Sequence, residues 1–406
     1  MNSLAKQYPS SSLLQEADME TALTYIADEK FGDAVPYLNK VIASSETGGL
    51  KPRAYLKLGL AYFNNNDNKN ALTAYQKLIQ LYPQSAEAAE ALGSIKDIYV
   101  EEGKPDEYIE LMRQNGVNVS VTEADSLSYT SAYLKYEIND CAAAINGFNN
   151  YLSKYANGSY AIEANYFKAD CYQRSKDWTN ALAGFDYVNS RGVSRYFEKA
   201  SLEAARISYF ELKDYTASKK YFESLRKNAA SQDIQLEALR GLVRTYYQLK
   251  DYTTANEAAK ELLNRKGIST DDKAIAFLVL GKSQQVAGDF PAAISSFKSA
   301  AAINKAGWGA EARYEMASCH FSQNNLGAAE KAAMSVIKET GSYDWWVTSS
   351  YILLGDIFMK QKDYFNAKAT YESVARNAAN AELKAKAQQK FDEAVAEEKQ
   401  SSKISN

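Results

Sequence analysis

The sequence predicts an all-α protein, an α-solenoid of about ten stacked helix pairs. Three observations predict it. A short unit recurs at a period near 37 residues along almost the whole chain. Inside each unit the apolar residues fall on two helical stripes, not on alternating positions. Proline is scarce, with six in 406 residues, and none stands where it would break a helix.

The repeat is anchored by a small residue. Asp177-Trp178 precedes Ala181, Asp214-Tyr215 precedes Ser218, and Asp251-Tyr252 precedes Ala255. Asp289-Phe290 precedes Ala293, and Asp363-Tyr364 precedes Ala367. Weaker copies end on Ala34, Ala71, Ala144 and Ala329, and a degenerate one is centred on Glu107. Nine residues before the anchor stands an aromatic such as Tyr25, Tyr62, Tyr172, Tyr209 or Tyr246. Twelve before it stands Gly59, Gly281, Gly355, Ala22, Ala132, Ala169 or Ala317. Four after it stands a large residue such as Tyr75, Phe148, Phe185, Phe222, Phe297 or Tyr371. One helix pair cannot bury both of its faces alone, so stacking on the next pair covers the open stripe. The Asp four residues before the anchor suits the N-cap of the second helix, where its carboxylate accepts orphan backbone N–H bonds.

Taken in order, residues 1–14 read as the remnant of a preceding unit's second helix, because Leu4–Ser11 aligns with Leu78–Ser85. The chain is therefore expected to be part of a longer protein. Residues 15–380 hold the ten units. Within them 88–124 is irregular, and Asn115–Asp125 is expected to be a long loop rich in β-branched and turn residues. Residues 381–400 form a charged capping helix, and 401–406 a disordered tail.

Composition narrows the chemistry. The chain has 30 Tyr, three Cys and one His. One histidine leaves no material for a His-based zinc site or a Ser-His-Asp triad. Three cysteines exclude a disulfide framework, and Cys141, Cys171 and Cys319 are each expected to be free. No phosphate loop, CxxC pair or HExxH motif occurs, so neither catalytic, cofactor nor metal residues are assigned. Basic and acidic residues number 47 and 50, which is not the balance of a nucleic-acid binder. No run of ~20 apolar residues offers a transmembrane segment. His320 reads as an aromatic substitute in its slot. Trp308 and Trp346 read as hydrophobic staples ahead of a first helix.

Tyr55, Leu58, Gly59, Tyr62, Ala71, Tyr75 and Pro83 form the best single copy. In this pattern the chain resembles the tetratricopeptide repeat family over nearly its whole length, with a period of ~37 in place of 34. The resemblance implies a right-handed α-α superhelix and a non-enzymatic scaffold for protein–protein interaction. It implies a concave groove, built from first helices, that takes peptide or helical segments of other proteins. Positions fifteen, eleven and eight before the anchor would face it. They include Tyr129, Tyr133, Tyr136, Tyr166 and Asp170, then Arg240, Arg244, Tyr247 and Lys282. The same tyrosines also suit packing between neighbouring units, and both readings stand. A carboxylate clamp of the chaperone-binding subtype is not formed, because Glu20 stands where that clamp needs Asn. The turns Tyr82-Pro83-Gln84-Ser85 and Tyr155-Ala156-Asn157-Gly158-Ser159 resemble those of bacterial cell-envelope members. That resemblance implies a periplasmic role in envelope assembly or maintenance. The alternative is the substrate-recruiting arm of a longer enzyme, or a cytoplasmic regulator. Oligomeric state is left open.

Overall fold

The computed structural model describes residues 12–44, 49–305, 307–341 and 344–404, with the side chains of 12 and 402–404 excepted. Among the described residues there are only helices, joined by turns and short loops. The chain divides into two compact units, Met1–Gly184 and Phe185–Asn406. The first holds α1 (Ser12–Ala27), α2 (Phe31–Ala43), α3 (Leu50–Asn64), α4 (Asn68–Leu81) and α5 (Ala86–Glu101). It continues with α6 (Pro105–Gln114), α7 (Val121–Glu137), α8 (Cys141–Lys154) and α9 (Ala161–Arg174). The boundary falls inside α10 (Trp178–Ser190). The second holds α11 (Phe197–Arg206), a π-helical turn (Ile207–Glu211), α12 (Tyr215–Asn228), α13 (Gln232–Gln248) and α14 (Tyr252–Leu263). Then follow α15 (Thr270–Val286), α16 (Phe290–Ile303), α17 (Gly307–Ser322) and α18 (Leu326–Glu339). α19 (Asp344–Lys360), α20 (Tyr364–Asn377) and α21 (Ala381–Ile404) complete it.

The helices pair as expected, each odd-numbered helix with the next, and α21 covers the last pair. The turn inside every pair carries one left-handed residue: Glu29, Asn66, Gly103, Asn139, Lys176, Lys213, Lys250, Gly288, Asn324 and Lys362. Their spacing repeats the sequence period. The residue after each is the cap. Asp67, Asp140, Asp177, Asp214, Asp251, Asp289 and Asp363 each accept the backbone N–H three residues on, as does Asn325. These bonds satisfy one orphan donor of each second helix.

All nine small anchors, from Ala34 to Ala367, have 0% exposure. In the third pair that place is taken by buried Tyr108, with Glu107 exposed, so the degenerate copy is centred one residue later than expected. The glycine of the first helix has a partner in the second. A Cβ on Gly59 would lie 2.3 Å from the Tyr75 ring, one on Gly281 2.5 Å from Phe297, and one on Gly355 2.3 Å from Tyr371. The ring therefore lies flat on bare backbone, which only glycine permits.

Four expectations change. Ser12–Leu14 begin the first helix of a pair rather than ending a preceding one, and residues 1–11 lie outside the described residues. The irregular loop ends at Ser120, whose hydroxyl accepts the Glu123 N–H at 3.1 Å, so Val121–Asp125 are helical. The last helix runs to Ile404, so 401–404 are helix, while 405–406 lie outside the described residues. Its Leu383, Ala387 and Ala394 are buried in a cluster with Tyr371, Val374 and Ala375 of α20.

The fourth change concerns the cysteines. Cys141 and Cys171 form a disulfide, with Cα atoms 5.2 Å apart, that ties α8 to α9. The physical reason is the repeat itself. The position three before one anchor meets the position ten before the next, and here both hold Cys. Cys319 remains free and buried.

The glycine contacts give a direct test. Gly355→Ala is expected to lower unfolding stability by about 1–3 kcal/mol through overpacking against Tyr371, in spite of alanine's better helix propensity. Urea unfolding followed by circular dichroism reads the change.

Candidate partner-binding cleft

In the second unit, one irregular helix creates a cleft. In seven other pairs a Gly or Ala precedes the anchor by twelve. Before Ser218 that slot holds Arg206, while Ala204 and Ala205 are fully buried. The π-helical turn at Ile207–Glu211 explains the shift. It takes in one extra residue, so Ala205 moves into the small slot from thirteen residues away. Arg206 then takes the groove-facing place of the residue eleven before the anchor, and Phe210 stands at the groove position eight before it. Phe210 is 63% exposed, and the Phe222 ring slides over bare backbone at Gly241 on α13.

The resulting cleft has a volume of about 720 Å³. Its apolar walls are Tyr209, Phe210, Phe222 and Trp308, and three arginines with three acids complete the lining. The arginines are held from behind. Arg240 Nε donates to Asp272 Oδ2 at 2.8 Å. Arg244 donates to Asp271 at 2.9 Å and to Asp272 at 3.4 Å. Arg206 donates to Glu237 at 3.1 Å. Asp272 is the organiser: it is 4% exposed on its side chain and closes a capping box with Ser269 at the start of α15. Burial pushes its carboxyl up, but the Ser269 backbone and hydroxyl bonds and both arginines outweigh this and hold it below the usual range.

Beside the cleft lies a buried polar cluster. The Tyr247 hydroxyl donates to Glu311. Lys282 and Gln285 both donate to Glu315, at 2.8 and 2.9 Å. Burial, reinforced by the Glu315 charge, pushes the Glu311 carboxyl up to about 7 against the pull of Tyr247 and Lys282. Burial first, and then Glu311, lifts the Tyr247 phenol above its ordinary range.

The expected groove residues fall into two groups. In the first unit Tyr129, Tyr133, Tyr136 and Phe167 form one aromatic cluster. Tyr129 stacks on Tyr160 at 4.4 Å, and Tyr136 lies 4.6 Å from Phe167. The Tyr136 hydroxyl donates to Asp170 at 2.9 Å, and Arg174 pairs with that same carboxylate at 2.5 Å. Tyr166 is buried, so it belongs to the core and not to a surface. These tyrosines hold α7 to α9 and mostly fill the space between pairs. In the second unit Arg240 and Arg244 line the cleft, while Tyr247 and Lys282 lie in the polar cluster.

The sequence reading missed Arg206, Phe210, Asp271 and Asp272, and it took Trp308 for a staple. The available signals were an Arg in a slot that seven other pairs fill with Gly or Ala, and a Phe eight before its anchor. His320 is half-buried as its slot requires, and its Nδ1 has no hydrogen-bond partner. Among the described residues no group of three or more His, Cys, Asp and Glu is placed to hold a metal ion. No described helix is long and apolar enough to cross a membrane.

The tetratricopeptide repeat family matches at residues 53–85, 278–344 and 348–380. Over these three stretches the chain carries tetratricopeptide repeats. Similar solved structures include the P58(IPK) TPR domain, 16% identical, covering 95% of this chain and 99% of that chain at a TM-score of 0.35. Yeast Tom70 is 12% identical, with coverage of 95% and 96% and a TM-score of 0.37. The C-terminal part of a TPR repeat-containing protein from Cytophaga hutchinsonii is 15% identical, with coverage of 63% and 97% and a TM-score of 0.43. No curated protein matches the chain.

Glu311 sets a pH dependence. Its folded pKa is raised above the unfolded value, so the folded state holds the extra proton between about 4.5 and about 7. Stability is expected to fall as pH rises through that window, by roughly 3 kcal/mol in all, and to level off above it. Glu311→Gln should flatten the profile and be the more stable protein at pH 8. Thermal melts from pH 5 to pH 8 check both statements.

Proposed function

We propose that the chain is a non-enzymatic scaffold that binds a segment of a partner protein in the second-unit cleft. The observation that carries this reading is Phe210, a large apolar side chain 63% exposed in a walled cleft. Aromatic and arginine side chains in a preformed pocket are the usual anchors of protein interfaces. The fitting occupant presents an apolar side chain to Phe210 and Trp308. Its flanking polar groups meet the donors that Arg206, Arg240 and Arg244 keep free. The first-unit tyrosines serve chiefly to hold successive pairs in place.

The test uses two exposed phenylalanines. Partner protein captured by the wild type should fall about tenfold with Phe210→Ala, the range of a moderate interface anchor. It should be unchanged with Phe365→Ala, which removes a ring of similar exposure on α20. Equal capture by both variants would discard the cleft.

The compartment we propose is the cell envelope. The Cys141–Cys171 bridge supports this reading, because disulfides persist where thiols are not kept reduced. Protein taken from its own cells, denatured and alkylated without reductant, should then show one reactive thiol. Three reactive thiols would exclude the envelope and favour a cytoplasmic regulator.

A further inference from the structure

The hydrogen bond from Tyr247 to Glu311 spans 64 residues. It runs from α13 to α17 and skips the intervening first helix, α15. The other polar ties in this region join neighbours: Arg240 to Asp272, Arg244 to Asp271, and Lys282 to Glu315. The Tyr247–Glu311 contact therefore constrains three successive pairs together.

Glu311 is 9% exposed. Tyr247 faces it from α13, Tyr252 from α14, Lys282 from α15, and Glu315 from the next turn of α17. The one cation among these, Lys282, is paired with Glu315. Of the neighbours on α17, Arg313 is engaged with the Ala301 carbonyl of α16 and with Glu339 of α18, and Tyr314 feels Asp356 of α19. Glu311 therefore has a hydroxyl partner, and the only nearby cation acting on it, Lys282, is paired with Glu315. Trp308, one turn earlier on α17, stands edge-on to the Tyr247 ring at 6.3 Å and forms a wall of the cleft.

We propose that the Tyr247–Glu311 contact is a proton-operated brace on the cleft. Neutral Glu311 holds α17, and Trp308 with it, against α13. Ionised Glu311 accepts the Tyr247 bond more strongly, but burial and the second negative charge beside Glu315 oppose ionisation by more than that bond and Lys282 favour it. The brace then releases and the Trp308 wall moves outward. The carboxyl's rise to about 7 puts the change within the range of cellular pH. As regulation of partner binding, this rests on the cleft being the partner's site; as a property of the helices, it does not.

Hydrogen–deuterium exchange tests the brace without a partner. Wild type, Glu311→Gln and Tyr247→Phe are compared at pH 6 and pH 8, with intrinsic exchange rates divided out. Wild-type amides in α13 and in the first two turns of α17 should lose protection by roughly tenfold at pH 8, matching one pH unit beyond the transition. Glu311→Gln should keep the pH 6 protection at both values. Tyr247→Phe, which retains the ring, should exchange fast at both. An identical pH response in wild type and Glu311→Gln would overturn the brace, as would full protection in Tyr247→Phe. Partner capture at the same two pH values separates the two readings. Exchange that responds to pH while capture does not would leave the brace standing and remove the cleft as the partner's site.

Discussion

The closest approach of two helices at a buried one-carbon side chain is the constraint on which this protein depends. Ala or Ser at nine of ten anchors has no exposed surface, so the second helix of each pair can lie deep against its neighbours. That approach fixes where everything else goes. Aromatic rings must stand four residues on, where they fill the space the small residue opens. Glycine must stand opposite four of those rings, because no Cβ fits beneath them. The left-handed turn and its Asp cap follow from the need to reverse direction within three or four residues of the anchor. The abundance of tyrosine has the same origin. Its ring fills the gap between pairs, while its hydroxyl reaches a carboxylate at the edge, as Tyr136 does with Asp170 and Tyr371 with Asp356.

Most of the fold was legible because it is periodic. Helix pairs, caps and anchors recur, so a weak copy such as that ending on Ala34 is read by its distance from strong ones. What failed to be legible was aperiodic or lay between units. Tyr108 fills the anchor of the third pair with a large residue, which no search for small ones can find. The Cys141–Cys171 bridge joins slots of successive units, whereas a comparison of equivalent slots pairs Cys171 with Cys319. The cleft was half legible. Arg240, Arg244 and Phe210 stand at groove positions in normal register, but Arg206 comes into place only through a helical turn one residue too long. Asp271 and Asp272 were invisible for a different reason. They begin a helix, where acidic residues are routine, and only their contact with two arginines distinguishes them.

The second unit concentrates its charged groups where the first concentrates rings. Around the cleft, buried Asp272 orients two arginines and keeps its charge. In the neighbouring polar cluster, buried Glu311 shares the Lys282 charge with Glu315 and favours its neutral form at moderate pH. The two acids differ less in burial than in company. Asp272 has backbone and hydroxyl donors as well as two guanidinium groups, and Glu311 has one phenol and a carboxylate beside it. Burial alone decides little about a carboxylate until the donors around it are counted.

The π-helical turn at Ile207–Glu211 is best understood as a crystallographer understands a dislocation. A periodic array repeats whatever its unit contains, so a binding feature written into the unit would appear ten times. A wide turn inside one helix breaks the register for about two turns, while the 37-residue spacing from Ala181 through Ser218 to Ala255 keeps the pairs on either side in step. A lattice of this kind gains individuality where one turn changes its winding. Winding that turn as an ordinary α-helix would heal the defect and return the site to the monotony of its neighbours.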